Sequence, residues 1–133
     1  MPYLNLRLSN ALPDEALDRT IGLLTDLTVD VLGKKRELVS VAIDGPPRGR
    51  WAIGGQCIGA GGARTFYLDI KVTEGTNTKR EKAEYLARVW SGLEEILGAL
   101  DPASYIVIHE VRADAWGYQG HTQEYRHVRS LAI

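Results

Sequence analysis

The chain has 133 residues, enough for one domain that buries roughly two-thirds of its unfolded surface without disulfides or metals. Its 16 basic and 17 acidic residues nearly balance, which argues against a nucleic-acid or anionic-membrane partner. No apolar run reaches the roughly 20 residues that a membrane-spanning helix needs, and no apolar signal stretch opens the chain. Cys57 is the single cysteine, so no internal disulfide can form and we expect a cytoplasmic protein.

The first half of the chain predicts a strand, a helix and a second strand. Residues 3–8 alternate apolar and polar side chains, the period of a half-buried strand. Pro13, the acidic residues behind it and an apolar stripe predict a helix that ends near Gly33. A second strand is expected over 38–43, and the segment GPPRGRWAIGG after it predicts a turn and a short hairpin. The apolar stripe of the helix is predicted at Leu17, Ile21, Leu24 and Val31.

The second half repeats this order. Residues 65–72 alternate again, with Phe66, Leu68, Ile70 and Val72 on one face. Thr78 and Glu81 have the spacing of a capping box, which predicts a helix that continues to Gly98. A last long strand is expected over 105–109, followed by a second hairpin in EVRADAWGYQG. The apolar stripe of the second helix is predicted at Leu86, Trp90, Leu93 and Leu97.

The two halves form an internal repeat. PPRGRWAIGG and VRADAWGYQG share the order aromatic, small, apolar, glycine, and the two hairpins follow their first strands at nearly the same distance. We therefore expect one domain, 1–133, with a β-α-β unit over 2–55, a second over 64–120, and a tail over 121–133. Right-handed crossovers give an α+β two-layer sandwich, in which a four-stranded mixed sheet carries both helices on one face.

The sheet face without helices is expected to meet another subunit. An uncovered face of mixed character on a small domain usually marks an interface. The tail over 121–133 alternates weakly and predicts a short strand added to a neighbouring chain at the subunit interface. The face is predicted to display Tyr67, Asp69, Lys71, Tyr105 and Val107.

Pro2 allows two interpretations. It can open a strand, where the missing N–H costs little. Alternatively, removal of Met1 leaves Pro2 at the chain terminus, where its ring nitrogen is a secondary amine. Position alone favours the first interpretation.

A duplicated β-α-β unit with proline directly after the initiator methionine resembles the tautomerase superfamily. That group includes 4-oxalocrotonate tautomerase, macrophage migration inhibitory factor and the 3-chloroacrylic acid dehalogenases. The resemblance is carried by MPYLNLRLSN, RGRWAIGG, VTEGTN and HEVRADAWGYQG, and covers the chain up to Gly120. It implies a cofactor-free homotrimer with sites between subunits, in which Pro2 is the general base of keto–enol proton transfer on a small α-keto acid or enol. An α-amino group titrates near pH 7.7–8.0, and an enclosed site disfavours its ammonium form.

The resemblance also implies residues that bind the substrate. Lys34 falls near the mouth of the site, although Lys is also common at helix C-termini. Thr73 falls where relatives hold the substrate after the third strand. Tyr105 falls on a pocket-lining tyrosine, although tyrosine at an interface strand is often packing. An aromatic wall is expected from Trp51 or Trp116.

The sequence departs from the family at its arginines, which grip carboxylates in the relatives. The corresponding positions hold Leu12, Ser40, Thr73, Thr76 and Tyr105. A non-catalytic or divergent trimer that binds a small molecule is therefore an alternative. A hydratase, dehalogenase or decarboxylase-like member is another, and Asp114 is its candidate acid. A ferredoxin-like regulatory or RNA-binding domain is a third, which the balanced charge disfavours.

Overall fold

The computed structural model describes residues 2–47, 49–59 and 62–131. Two long strand–helix–strand units follow one another, each ending in a two-stranded hairpin, and a third helix closes the chain. The elements are β1 (Tyr3–Leu8), α1 (Asp14–Asp30), a 3₁₀ turn (Arg36–Leu38), β2 (Ser40–Asp44), β3 (Ala52–Ile53), β4 (Gln56–Cys57), β5 (Phe66–Thr73), α2 (Lys79–Leu97), β6 (Tyr105–Val111), β7 (Gly117–Tyr118), β8 (His121–Thr122) and α3 (Gln123–Leu131).

The central sheet has the strand order β2-β1-β5-β6. Each unit contributes one parallel pair, β1 with β2 and β5 with β6, and the units meet through the antiparallel pair of β1 and β5. α1 and α2 pack against each other and against the sheet. The predicted α+β fold and the four-stranded mixed sheet are confirmed. Among the described helices, none is long and apolar enough to cross a membrane.

The core lies between the helices and one face of the sheet. Leu4, Leu6, Leu68 and Ile70 alternate along β1 and β5 and are fully buried. Burial of each such side chain contributes roughly 1.5–3 kcal/mol. The strict alternation fixes the register, because a slip by one residue would expose the whole apolar row.

The predicted apolar stripes of the helices are partly wrong. Leu24 and Leu93 are buried as expected, but Ile21 and Leu86 are exposed at their surfaces by 39% and 37%. The buried face of α1 includes Thr20 and Thr28, and that of α2 includes Tyr85, residues with hydroxyl groups that the predicted stripes omit. A pattern that scores hydroxyl-bearing residues as polar therefore misplaces the buried face.

The buried hydroxyls are all hydrogen-bonded, which makes their burial tolerable. Thr28 of α1 donates to the carbonyl of Leu24 at 2.7 Å, and its Oγ1 lies 2.9 Å from the hydroxyl of Tyr85 on α2. Burial raises the pKa of Tyr85 to about 12. The Thr28 hydroxyl thus has a hydrogen-bond acceptor within its own helix and also links α1 to α2.

The expected strand in the tail is wrong, because residues 123–131 form α3. The Thr122 hydroxyl accepts a hydrogen bond from the backbone N–H of Tyr125 at 3.0 Å and caps this helix. Val128 and Leu131 lie on one side of α3 with 58% and 68% of their surface exposed. Residues 132 and 133 lie outside the described chain.

Among the described elements, no helix is found to pack on the other face of the sheet. This face displays the side chains predicted for it, and the imidazole of His109 on β6 is within hydrogen-bond distance of the Asp69 carboxylate on β5. Tyr67 and Tyr105 pack against each other with ring centroids 6.0 Å apart. The placement of these residues on one face is confirmed, and their contact with another subunit stays a prediction.

Candidate functional site

A cleft of about 470 Å³ lies at the end of the sheet where β1 begins. We call it the Pro2 cleft. Its walls are mainly apolar, with one cation and one carboxylate among the described residues that line it. These residues are Pro2, Tyr3, Glu37, Leu38, Ser40, Lys71, Trp116 and Tyr118.

The topology explains why these residues meet. β1 and β2 are parallel, so both begin at this end, and β5 runs antiparallel to β1, so it ends there. Tyr3 is opposite Ser40 on one side and opposite Lys71 on the other. Pro2 is buried directly before β1, and its carbonyl accepts a hydrogen bond from the Ser40 amide at 3.3 Å. Pro2 therefore lies at the end of the sheet where β1 and β2 begin and β5 ends.

The second hairpin supplies the aromatic wall. β7 and β8 turn through Gln119 and Gly120, both with positive φ, which is the backbone of a tight two-residue hairpin. Gly117 has no room for a side chain, since an added Cβ would lie 1.8 Å from the carbonyl oxygen of His121. The indole N–H of Trp116 donates to the hydroxyl of Thr73 at 3.1 Å, which fixes the hairpin to the end of β5.

Of these two predicted site residues, Trp116 lies in the Pro2 cleft of its own chain, whereas Thr73 does not line it and contacts the indole of Trp116. Trp116 lines the cleft, and Thr73 holds the indole from behind. The sequence left open which tryptophan faces Pro2, and within one chain it is Trp116.

Lys71 was not predicted as a site residue, although its position on the open face was. Its ammonium lies 5.9 Å from the centroid of the Tyr3 ring, within reach of a cation–π contact. The signal for Lys71 is the register between β1 and β5, which places it opposite the residue that follows Pro2. That register is a tertiary property that alternation alone does not give.

Lys34, Tyr105 and Trp51 do not line the Pro2 cleft of their own chain. The Lys34 ammonium donates to the Thr76 hydroxyl at 2.8 Å. The pKa of Lys34 is lowered from its ordinary value, because the effect of burial exceeds the opposite effect of the Glu81 carboxylate. Tyr105 opens β6 at the opposite edge of the sheet, with 57% of its surface exposed. Trp51 precedes β3 in the first hairpin. Their roles in substrate binding stay predictions.

The sequence model of a family described as tautomerase enzyme matches residues 2–61 and 67–125, one segment for each repeat unit. The chain belongs to the tautomerase family. No protein of curated function matches the sequence significantly.

Solved structures show the tautomerase fold at low sequence identity. A crystal structure of Pt0534 inactivated by 2-oxo-3-pentynoate is 16% identical, with a TM-score of 0.82 over 93% of this chain and 98% of that chain. A symmetric trimer of wild-type fused 4-OT is 16% identical, with a TM-score of 0.80 over 92% and 96%. A macrophage migration inhibitory factor-like protein from Entamoeba histolytica is 20% identical, with a TM-score of 0.73 over 91% and 97%.

Proposed function

We propose that the protein is a tautomerase that moves a proton between carbon and oxygen of a small α-keto acid or its enol, with the Pro2 amine as general base. The observation that carries this is the position of Pro2 in an apolar cleft of about 470 Å³. A cleft of this size accommodates a small organic acid. Apolar walls and the positive charge of Lys71 disfavour a protonated amine, whereas the Glu37 carboxylate favours one; we expect the first two to dominate, so that the free base is available at neutral pH.

The residues of the cleft divide the chemistry between them. The Pro2 nitrogen takes a proton from the carbon next to the substrate carbonyl and returns it to the other end of the enol. Lys71 pairs with the substrate carboxylate and stabilises the negative charge that develops on the enolate. Trp116 and Tyr118 cover the carbon skeleton and exclude water. General-base catalysis of this kind contributes typically ~10²–10⁴-fold.

We further propose that the protein works as a homotrimer. The fused 4-OT structure that resembles this chain is a trimer. A trimer would cover the open sheet face and would allow Tyr105, Trp51 or Lys34 of a neighbouring chain to reach a Pro2 cleft. The apolar side of α3, formed by Val128 and Leu131, provides further surface for this contact. Sedimentation should give three times the mass of one chain, and a monomer at micromolar concentration would contradict the trimer.

The second candidate is a non-catalytic protein that binds a small anion in the same cleft. The observation in its favour is that Lys71 is the single cation among the described residues of the cleft. The water-adding alternative has weaker support: Asp114 accepts a hydrogen bond from Arg112 Nε at 3.4 Å and lies outside this cleft, whereas Glu37 lines it. Within one chain, Glu37 is the carboxylate among the described residues of the cleft that a hydratase could use.

The proposal requires a free amine at Pro2, which mass spectrometry measures directly. We expect the intact mass of the purified protein to lack Met1, and the Pro2 amine to titrate below its ordinary range in nitrogen-15 NMR. An alkynyl keto acid such as 2-oxo-3-pentynoate should add its mass to the peptide that contains Pro2. Retained Met1 together with full activity would rule out the mechanism. A normal amine pKa without covalent labelling would favour the non-catalytic candidate.

The role of Lys71 is tested by keto–enol exchange of phenylpyruvate. Lys71→Gln should raise KM by about tenfold, because a charge-assisted hydrogen bond to a carboxylate contributes on the order of 1.5–3 kcal/mol. Lys79→Gln, at an exposed lysine of α2, is the matched control and should leave KM unchanged. Equal kinetics for both variants would remove Lys71 from the site.

A further inference from the structure

A second cavity of about 590 Å³ lies beside α3, and we call it the Arg126 cleft. It is formed between α3, the turn of the β7–β8 hairpin and the residue that precedes the 3₁₀ turn. Its charged and aromatic lining consists of Lys35, Tyr118, His121, Tyr125, Arg126 and Arg129. Three of these side chains are permanent cations, and no carboxylate is among the described residues that line the cleft.

Arg126 is held in place with unused donors. Its guanidinium stacks on the Tyr118 ring at 3.8 Å from the centroid. One terminal nitrogen donates to the Tyr118 carbonyl at 3.0 Å and to the Gln119 side-chain oxygen at 3.1 Å. The Nε–H is buried and has no hydrogen-bond partner within the described chain. Because an atom the size of a water oxygen cannot reach this nitrogen, a ligand in the cleft would instead meet the second terminal nitrogen, which makes no hydrogen bond within the described chain.

No carboxylate on the neighbouring described segments lines the Arg126 cleft and neutralises its positive charge. Arg129 donates to the hydroxyl of Tyr125 at 3.1 Å, a neutral partner. Glu124 of the same helix lines a different cavity, together with Glu74 and Asp114. Glu37 lines the neighbouring Pro2 cleft. Two arginines and a lysine that face one cavity without a carboxylate repel one another, and an anion relieves this repulsion.

The two clefts are neighbours that share one lining side chain. Tyr118 lines both, and Arg126 stacks on its ring. A group attached to a substrate in the Pro2 cleft would therefore pass Tyr118 before it meets the guanidinium. The apolar residues Val128 and Leu131 point away on the other side of α3, since they follow the cleft-facing positions by about half a helical turn.

We propose that the Arg126 cleft is an oxyanion site for a carboxylate or a phosphate group. Arginine guanidinium binds both groups through paired N–H donors. Resting on the proposed function, the site selects keto acids that carry a second anionic group beyond the reacting carbons. The same N–H donors would also bind a free oxyanion next to the Pro2 cleft. Two experiments distinguish an anion attached to the substrate from a free anion.

The attached-anion source is tested with two matched substrates, 4-carboxyphenylpyruvate and its neutral analogue 4-carbamoylphenylpyruvate. Arg129→Gln should lower the preference in kcat/KM for the charged substrate by about tenfold, the expected effect of one charge-assisted hydrogen bond. Lys35→Gln should lower it by a smaller factor. Arg88→Gln, an exposed arginine on α2, is the control and should leave the preference unchanged.

The free-anion source is tested by calorimetric titration with inorganic phosphate at low salt. Arg129→Gln should weaken phosphate binding by about tenfold, whereas Pro2→Ala should retain it, so this measurement stands even without catalysis. A changed substrate preference identifies an anion on the substrate, and weakened phosphate binding with an unchanged preference identifies a free oxyanion. If neither Arg129→Gln nor Lys35→Gln alters the preference or phosphate binding, the site does not exist. Absence of turnover in the wild-type protein, with phosphate binding intact, would instead contradict the proposed tautomerase activity.

Discussion

The two β-α-β units share one topology but differ at the position before the first residue that pairs with the parallel strand, which is Tyr3 in one unit and Tyr67 in the other. In the first unit this preceding position holds Pro2, which lines a cleft. In the second it holds Phe66, which is fully buried and packs against Trp90 with ring centroids 5.9 Å apart. The backbone nitrogen of Phe66 is an amide, which cannot act as a base. The same position thus serves chemistry in the first unit, as proposed, and packing in the second.

The two hairpins also differ, but here the second unit contributes to the Pro2 cleft and the first does not. The hairpin of the second unit covers the Pro2 cleft with Trp116 and Tyr118, whereas the hairpin of the first unit, with Trp51, lies away from it. Each unit therefore supplies one part of the Pro2 cleft, and neither unit contains a whole cleft. Duplication within one chain permits this division, because each copy of a position varies independently.

The largest effect is expected at Pro2. Pro2→Ala should lower kcat for phenylpyruvate exchange by roughly 10²–10⁴-fold, since it replaces the secondary amine, while the folded protein keeps its stability. Pro47→Ala, at an exposed proline in the loop after β2, is the control. Unchanged turnover in Pro2→Ala would place the base elsewhere.

Phe66→Ala should have the opposite signature. Loss of a fully buried aromatic side chain costs about 3–5 kcal/mol of unfolding free energy, because the helices cannot close the cavity that it leaves. Urea unfolding measures this loss, and kcat per folded molecule should stay near the wild-type value. A specific loss of kcat without loss of stability would show that the second unit also takes part in catalysis.

The two tryptophans sharpen the difference between the hairpins. Trp116→Ala should raise KM by about tenfold or more, since an apolar side chain that covers a ligand contributes on the order of 1.5–3 kcal/mol. Trp51→Ala should raise KM much less. Equal increases would show that the first hairpin reaches the Pro2 cleft of a neighbouring chain.

The smallest effect is expected at the helix starts. α2 begins with a complete capping box of Thr78 and Glu81, whereas α1 begins after Pro13 without a side-chain cap. Thr78→Ala should lower the unfolding free energy by about 1 kcal/mol in urea titrations. An unchanged midpoint would mean that tertiary packing alone holds the start of α2.

The capping box also predicts a pH dependence. A backbone hydrogen bond from Thr78, with smaller contributions from Asn77 and Lys34, holds the pKa of Glu81 below its ordinary value. The stabilisation is therefore present above the pKa of the unfolded chain and is lost as the pH falls through the folded one. The stability difference between wild type and Glu81→Gln should shrink from pH 7 to pH 3. Glu84→Gln, exposed on α2, should show no such trend.

The fold was largely predictable from the sequence, because alternation, capping residues and the repeat all act locally. The buried faces of the helices were predicted only in part, since the Thr28–Tyr85 hydrogen bond exists only between packed helices. The sequence predicted a strand where α3 forms, because a weak alternation of side chains was interpreted as the period of a strand. Thr122 was not recognised as the cap of a helix.

The candidate site was predictable in part for the same physical reason. The sequence indicated Pro2 and offered Trp116 as one of two alternatives. Lys71 and Tyr118 required the strand register and the path of the second hairpin. Residues that reach a site through long-range pairing leave no local pattern.

Gly117 limits how the cleft can change. Its hydrogen fits against the opposite strand where even a methyl group would collide with the backbone of His121. The neighbouring positions 116 and 118 are consequently held in fixed orientations, one toward Thr73 and one beneath Arg126. The lining of the cleft can thus be varied by exchanging those two aromatic rings, whereas the glycine between them must stay.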